Sequence, residues 1–238
     1  MPKHSASNSG SGKKWLTAIV VLLIVIIAGV GISHSFNHNK STTQQTVTKV
    51  KPKPVKLSKA EKKTQKTYNL TPLEAKTAHE TKITAIGDSV MLDIEPTIKD
   101  IFPKSYVDGQ VGRQFNQLPG LVTQIKAEGH LANDIVINLG TNGPPEKSDI
   151  DNFLKEVGNS RQVYWVTTHV PTQPWQKTTN NLIMKTAQQH SNVHVVDWQA
   201  LSKNHSSWFA PDHIHVQTQG AKQYVRLIVQ VLSKVKNQ

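Results

Sequence analysis

From residue 82 onward, short apolar runs alternate with longer stretches in which apolar positions recur every three or four residues. The short runs, at 83–86, 106–111, 135–139, 163–168 and 193–197, predict β-strands. The amphipathic stretches between them, at 90–101, 116–128, 150–157 and 176–189, predict helices, and another at 218–235 closes the chain. Ile135, Val136 and Ile137 are apolar in succession, the pattern of a central strand covered on both faces. Strands separated by helices predict the α/β class, as a three-layer αβα sandwich around a five-stranded parallel sheet. Ligand sites in such sheets gather beyond the carboxyl ends of the strands. Catalytic motifs should therefore fall in the loops that follow strands.

Ahead of this domain the pattern changes twice. Residues 15–32 (WLTAIVVLLIVIIAGVGI) carry no charge over 18 positions, enough to cross a hydrocarbon core at about 1.5 Å per residue. Lys13 and Lys14 stand just before the run. The pattern predicts a transmembrane signal-anchor, with residues 1–14 as a cytoplasmic tail and the rest of the chain outside. A cleaved signal peptide is the alternative, because Ala28, Gly29, Gly31 and Ser33 supply small residues near its end. Residues 33–68 are rich in Lys, Thr, Gln, Ser and Asn and hold too little apolar surface to repay ordering. They predict a solvated spacer that reaches about 120 Å when fully stretched. Residues 70–80 have helical spacing and predict a short helix leading in. The spacer is thus placed at 33–80 and the globular domain at 81–238.

Charge sharpens this division. The formal net charge is +12, yet residues 1–80 hold 13 Lys against 3 acids, and residues 81–238 hold 15 basic against 13 acidic groups. The basic character belongs to the anchor and spacer, where it suits an anionic polymer or lipid head groups, or simply keeps a linker solvated. With a membrane run ahead of it, it does not point to nucleic acid. Cysteine is absent, which excludes disulfides, thiolate metal sites and a cysteine nucleophile.

The loops after the strands carry the chemistry. Gly87-Asp88-Ser89 follows the first strand and opens the first helix of the domain, where a serine is exposed on a tight turn and its N–H lies at a helix N-terminus. A turn with an N-cap would explain the tripeptide equally well. Gly112 follows the second strand in Val111-Gly112-Arg113-Gln114, and Gly140-Thr141-Asn142-Gly143 follows the third, with Asn142 offering an amide donor. Asp212-His213-Ile214-His215 precedes the last helix, and an Asp and His three apart on one turn can hydrogen-bond, fixing the imidazole tautomer.

In this order the motifs resemble the SGNH (GDSL-type) hydrolase superfamily over about residues 82–238. Within it, Ile86-Gly87-Asp88-Ser89-Val90-Met91, Val111-Gly112-Arg113-Gln114, and His169-Val170-Pro171 followed by Pro174-Trp175 are similar to the extracellular domain of peptidoglycan O-acetyltransferases. The resemblance implies an SGNH, flavodoxin-like fold with Ser89 as nucleophile, His215 as general base and then acid, and Asp212 as its orienter. It implies an oxyanion hole from the N–H groups of Ser89 and Gly112 and the side chain of Asn142. Those transferases carry many membrane spans where this sequence shows one, so it further implies a separate multi-span membrane protein as acyl donor. Arg113 is a candidate for contact with a substrate carboxylate or for holding its own loop. His169 and Trp175 are candidates for holding a sugar or for loop packing.

The resulting expectation is an extracytoplasmic O-acetyltransferase that passes an acyl group from serine to hydroxyls of a cell-wall glycan, on a Gram-positive cell surface. An SGNH carbohydrate O-acetylesterase using the same residues is the alternative, and a non-catalytic wall-binding module a third. No cofactor is expected. The His213–His215 pair has no evident third ligand in the sequence, so no metal is expected either.

Overall fold

The structure is a computed structural model, and it describes residues 54–238. The apolar run at 15–32 lies outside the described residues. Among the described residues, no helix is long and apolar enough to cross a membrane.

Five strands form one parallel sheet: β1 (Ile83–Gly87), β2 (Tyr106–Gly109), β3 (Asp134–Asn138), β4 (Gln162–Val166) and β5 (Val193–Val196), in the spatial order β2-β1-β3-β4-β5. Their positions match the runs read from the sequence to within two residues at each end. β1 and β3 are buried at every position, as central strands covered by helices on both faces must be.

The helices divide between the faces. α1 (Lys59–Tyr68), α2 (Pro72–Glu80), α3 (Ser89–Ile101) and α8 (Thr218–Lys236) bury Tyr68, Ala75, Ala78, Ile94, Ile98, Tyr224, Val225 and Ile228 in one core. α4 (Leu118–Ala127), α5 (Lys147–Val157) and α6 (Gln176–Gln189) bury Leu118, Val122, Phe153 and Ile183 in the other. α7 (Trp198–Ser202) follows β5. The chain runs from β1 outward to β2 and then returns to place β3 on the other side of β1. That reversal splays the loops after β1 and β3 apart, and the crevice between them is where parallel sheets bind ligands.

The reading of 33–68 as a solvated spacer is corrected over its last part. Residues 59–68 form α1, opened by a capping box in which Ser58 and Glu61 satisfy each other's backbone N–H groups. Tyr68 is buried, and its hydroxyl donates to Asp100 Oδ2 on α3 at 2.6 Å. Thr64 Oγ1 lies 2.8 Å from His79 Nε2 on α2. The low apolar content hid this helix, because it docks through few large groups while a mostly polar face looks outward.

Candidate active site

Each candidate loop starts at the carboxyl end of a strand. Gly87 ends β1 where the backbone is crowded: a Cβ there would sit 2.6 Å from Met91 Cβ and 2.8 Å from the Asn138 carbonyl oxygen. Only glycine lets α3 start this close to β3. Asp88, fully buried, is the N-cap of α3, and its Oδ1 accepts the N–H of Val90 at 3.0 Å. Ser89 is therefore the first residue of α3, in the turn whose N–H groups lack intrahelical acceptors. Burial pushes the Asp88 carboxyl up to about 6, against the pull of the Val90 amide.

The last loop delivers the histidine. Asp212 Oδ1 accepts the backbone N–H groups of Ile214 (2.9 Å) and His215 (3.0 Å). His213 adopts a left-handed backbone (φ 60°), which tightens the turn. Asp212 Oδ2 then lies 2.7 Å from His215 Nδ1, and His215 Nε2 lies 2.9 Å from Ser89 Oγ. Partial burial raises the Asp212 carboxyl, but the His215 hydrogen bond and the two amides outweigh it and hold it below the usual range. An ionised carboxylate only accepts, so Nδ1 carries the proton. The neutral ring accordingly presents its Nε2 lone pair to the Ser89 hydroxyl. The Asp212 hydrogen bond holds the imidazole above the ordinary histidine value against desolvation, helped by the charges of Asp93, Asp212 and Asp88.

The loops after β2 and β3 meet each other beyond the sheet. Gly112 has φ +73° with open space around its Cα, so backbone conformation selects glycine here. Asn142 Nδ2 donates to the Arg113 carbonyl at 3.3 Å, and Gln114 Nε2 donates to the Asn142 carbonyl at 3.1 Å. Trp175 Nε1 reaches back to the Thr141 carbonyl at 3.3 Å, tying the start of α6 to the same loop. These bonds bring Asn142 against the Gly112–Arg113 segment, so two of the three expected donors share one loop junction.

Two candidates stand differently. Arg113 is buried and its four terminal N–H groups all meet the protein: Nη1 donates to the carbonyls of Gly87 (2.9 Å) and Asp108 (2.7 Å), and Nη2 to Asp108 Oδ1 (2.7 Å) and Gln110 Oε1 (3.3 Å). Of the two roles open to Arg113, these bonds are those of a loop support: a clasp that holds the ends of β1 and β2. His169 stacks on Phe209 with centroids 4.3 Å apart, and its Nδ1 lies 2.9 Å from Ser202 Oγ. Burial, and secondarily His213, lower its pKa. It lines a cavity of about 310 Å³ with Phe209, Gln199, Lys203 and His213, the last two positions from His215.

Sequence reading missed Asp93. Its carboxylate on the second turn of α3 accepts the N–H of Val216, next to His215, at 3.0 Å. The available signal was its spacing, four residues after Ser89 and so on the same helix face.

No family model matches the chain. It is 38% identical over 154 residues, 65% of its length, to the peptidoglycan O-acetyltransferase OatA of Listeria monocytogenes, and it spans about a quarter (24%) of that relative's length. The C-terminal catalytic domain of peptidoglycan O-acetyltransferase A from Streptococcus pneumoniae, solved with a methylsulfonyl adduct, superposes with a TM-score of 0.60. The match has 21% identity and covers 66% of this chain and 95% of that domain. The domain has the SGNH hydrolase fold. A GDSL-like lipase from Bacteroides thetaiotaomicron shares it at a TM-score of 0.54 and 17% identity, covering 74% of this chain and 98% of that one.

Proposed function

We propose that this chain is an extracytoplasmic serine enzyme that transfers acetyl groups to hydroxyls of a peptidoglycan-like cell-wall glycan. The observation that carries the chemistry is the relay from Asp212 through His215 to Ser89, with bonds of 2.7 and 2.9 Å. The choice of substrate rests on the 38% identity to a peptidoglycan O-acetyltransferase.

The reaction runs in two halves. Ser89 Oγ attacks the acetyl carbonyl carbon of the donor while its proton passes to His215 Nε2. The negative charge on the carbonyl oxygen is met by the N–H groups of Ser89 and Gly112 and by the Asn142 side chain, a set in which one donor typically contributes ~10²–10³ in kcat. Collapse expels the donor's leaving group, which takes the proton from His215, and acetyl-Ser89 remains. A glycan hydroxyl then gives its proton to His215 Nε2 as its oxygen attacks the acetyl carbon. Ser89 leaves and regains that proton.

Around the domain, residues 15–32 anchor the chain in the membrane with 1–14 inside, and the basic segment after the anchor holds the domain at the wall. A separate multi-span membrane protein supplies the acetyl group. The cavity beside His169 and Phe209 receives the acceptor sugar, because a flat stacked pair flanked by Gln199 and Lys203 suits the apolar face and polar rim of a pyranose.

Hydrolysis is the second reading. The side chains of His215 and Asp212 are 41% and 45% exposed, so water reaches the relay. Water is abundant, but a well-oriented acceptor hydroxyl can act at an effective molarity of ~10⁵ M or more. The deciding experiment loads Ser89 from p-nitrophenyl acetate in the presence of chitooligosaccharides or muropeptides and follows products by mass spectrometry. Acetylated glycan should form at the expense of free acetate. An acetate yield unchanged by acceptors, with release of acetate from O-acetylated peptidoglycan, would replace transfer by hydrolysis. Unimpaired turnover of the ester by Ser89→Ala would remove the serine mechanism altogether.

A further inference from the structure

α3 offers two side chains to the catalytic loop, one helical turn apart. Ser89, its first residue, meets the His215 ring at 2.9 Å. Asp93 meets the backbone just beyond it, accepting the Val216 N–H at 3.0 Å. The remaining bonds of that loop are internal or reach its own flank: Ala210 N–H to the His215 carbonyl (2.8 Å), His213 N–H to the Ala210 carbonyl (2.9 Å) and Gln217 N–H to the Trp208 carbonyl (2.8 Å). These bonds shape the turn without fixing its distance from the nucleophile. The Val216–Asp93 bond does fix it, because the element that carries Ser89 grips the residue adjacent to His215.

We propose that Asp93 is a positioning residue for the catalytic histidine, holding the His215 loop at hydrogen-bonding distance from Ser89 and adding a further carboxylate to those near the ring. The inference rests on the reading of His215 as the base for Ser89. The charged groups that face His215 are Asp212 from its own turn and Asp88 and Asp93 from the start of α3, and each favours the imidazolium. The charges of His215 and Asp212 act on Asp93 in turn, and its own charge acts on the Tyr224 hydroxyl of α8. Burial raises its carboxyl, while the Val216 amide and His215 pull it back. An imidazolium develops in both halves of the reaction, as Ser89 attacks the donor and as the acceptor hydroxyl attacks acetyl-Ser89, so a carboxylate held near it stabilises the charge that forms.

The mechanical and electrostatic parts separate with two substitutions in the full chain. Asp93→Asn keeps an oxygen for the Val216 N–H and loses the charge; Asp93→Ala loses both. In Asp93→Asn, kcat/KM for p-nitrophenyl acetate at its plateau should fall by no more than about tenfold, and the acid limb of its pH profile should move to lower pH. The His215 ring, assigned by its absence from the spectrum of His215→Gln, should titrate at lower pH by NMR. Asp93→Ala should lose about 10²-fold in kcat/KM, the scale set by small misplacements of reacting groups. A wild-type titration midpoint for His215 in Asp93→Asn would overturn the proposal, as would wild-type kcat/KM in a folded Asp93→Ala. If Asp93→Ala does not fold, the Asp93→Asn titration still decides. That titration does not use turnover, so failure of the positioning role and failure of the serine mechanism, read from Ser89→Ala, are separate results.

Discussion

At the scale of single residues, two histidines and two aspartates make the reading vulnerable to measurement. His213 and His215 are near neighbours, but only His215 lies between a carboxylate and the serine, while His213 turns into the cavity beside His169. His215→Ala should lower ester turnover by ~10³-fold or more, and His213→Ala should leave it within about tenfold. In the wild type, kcat/KM should rise with pH through a midpoint above the ordinary histidine value, because Asp212 stabilises the inactive imidazolium, and Asp212→Asn should lower that midpoint. Asp88 works in the opposite sense. Its carboxyl titrates near 6 in the folded protein against 3.8 in the unfolded chain, so the native state holds its proton more tightly. Stability from this group is full below about pH 4 and falls as pH rises toward 6 and beyond, by on the order of 3 kcal/mol. Asp88→Asn keeps the acceptor for the Val90 N–H and removes the buried charge. Thermal scans should show the variant more stable than wild type at pH 7, with the gap closing as pH drops to 4.

At the scale of elements, the sequence is legible where one element makes its own case. β3 announces itself through Ile135-Val136-Ile137, and α6 has the bounds that its periodicity predicts, Gln176–Gln189. The order of motifs after strands likewise points to Ser89, Asp212 and His215, which the structure brings within hydrogen-bonding distance, because each needs only a strand end or one turn to define its place. What stayed hidden depends on contacts between distant segments. α1 shows its value only when Tyr68 meets Asp100 and Thr64 meets His79. Asp93 reads as an ordinary helix-surface acid until Val216 arrives from 123 residues away. Arg113 stays open between substrate contact and loop support until its four donor contacts on the ends of β1 and β2 are known. That clasp makes a prediction about the sheet edge. Arg113→Ala should lower stability by on the order of 3 kcal/mol, since it leaves Asp108 and two carbonyls without their donor. Arg113→Lys should recover little of it, as one ammonium cannot serve the same fork of acceptors. Thermal scans of both variants check this; a wild-type melting temperature in Arg113→Ala would show the clasp to be dispensable.

At the scale of the molecule, the point where the folded unit begins decides which chain is competent. Charge and composition place the change near residue 80, but the folded unit reaches back to α1, whose Tyr68 is part of the core shared by α2, α3 and α8. A chain starting at residue 70 keeps the sheet, both cores and every candidate catalytic residue, and it loses the Tyr68 ring and its bond to Asp100. Burying a large aromatic side chain is worth about 2–3 kcal/mol, and the loss also leaves Asp100 without its donor and uncovers Ala75 and Ala78. At this domain size a deficit of that order lowers the melting temperature by roughly 5–10 °C. Chains starting at 54 and at 70 should therefore share kcat/KM for p-nitrophenyl acetate at 20 °C, because Ser89, Asp212 and His215 stand on elements that α1 does not hold. Only the shorter chain should lose activity on mild heating, and Tyr68→Ala in the longer chain should reproduce most of that loss. Equal melting temperatures would return α1 to the tether; equal stability with lost activity would mean that α1 supports the site itself.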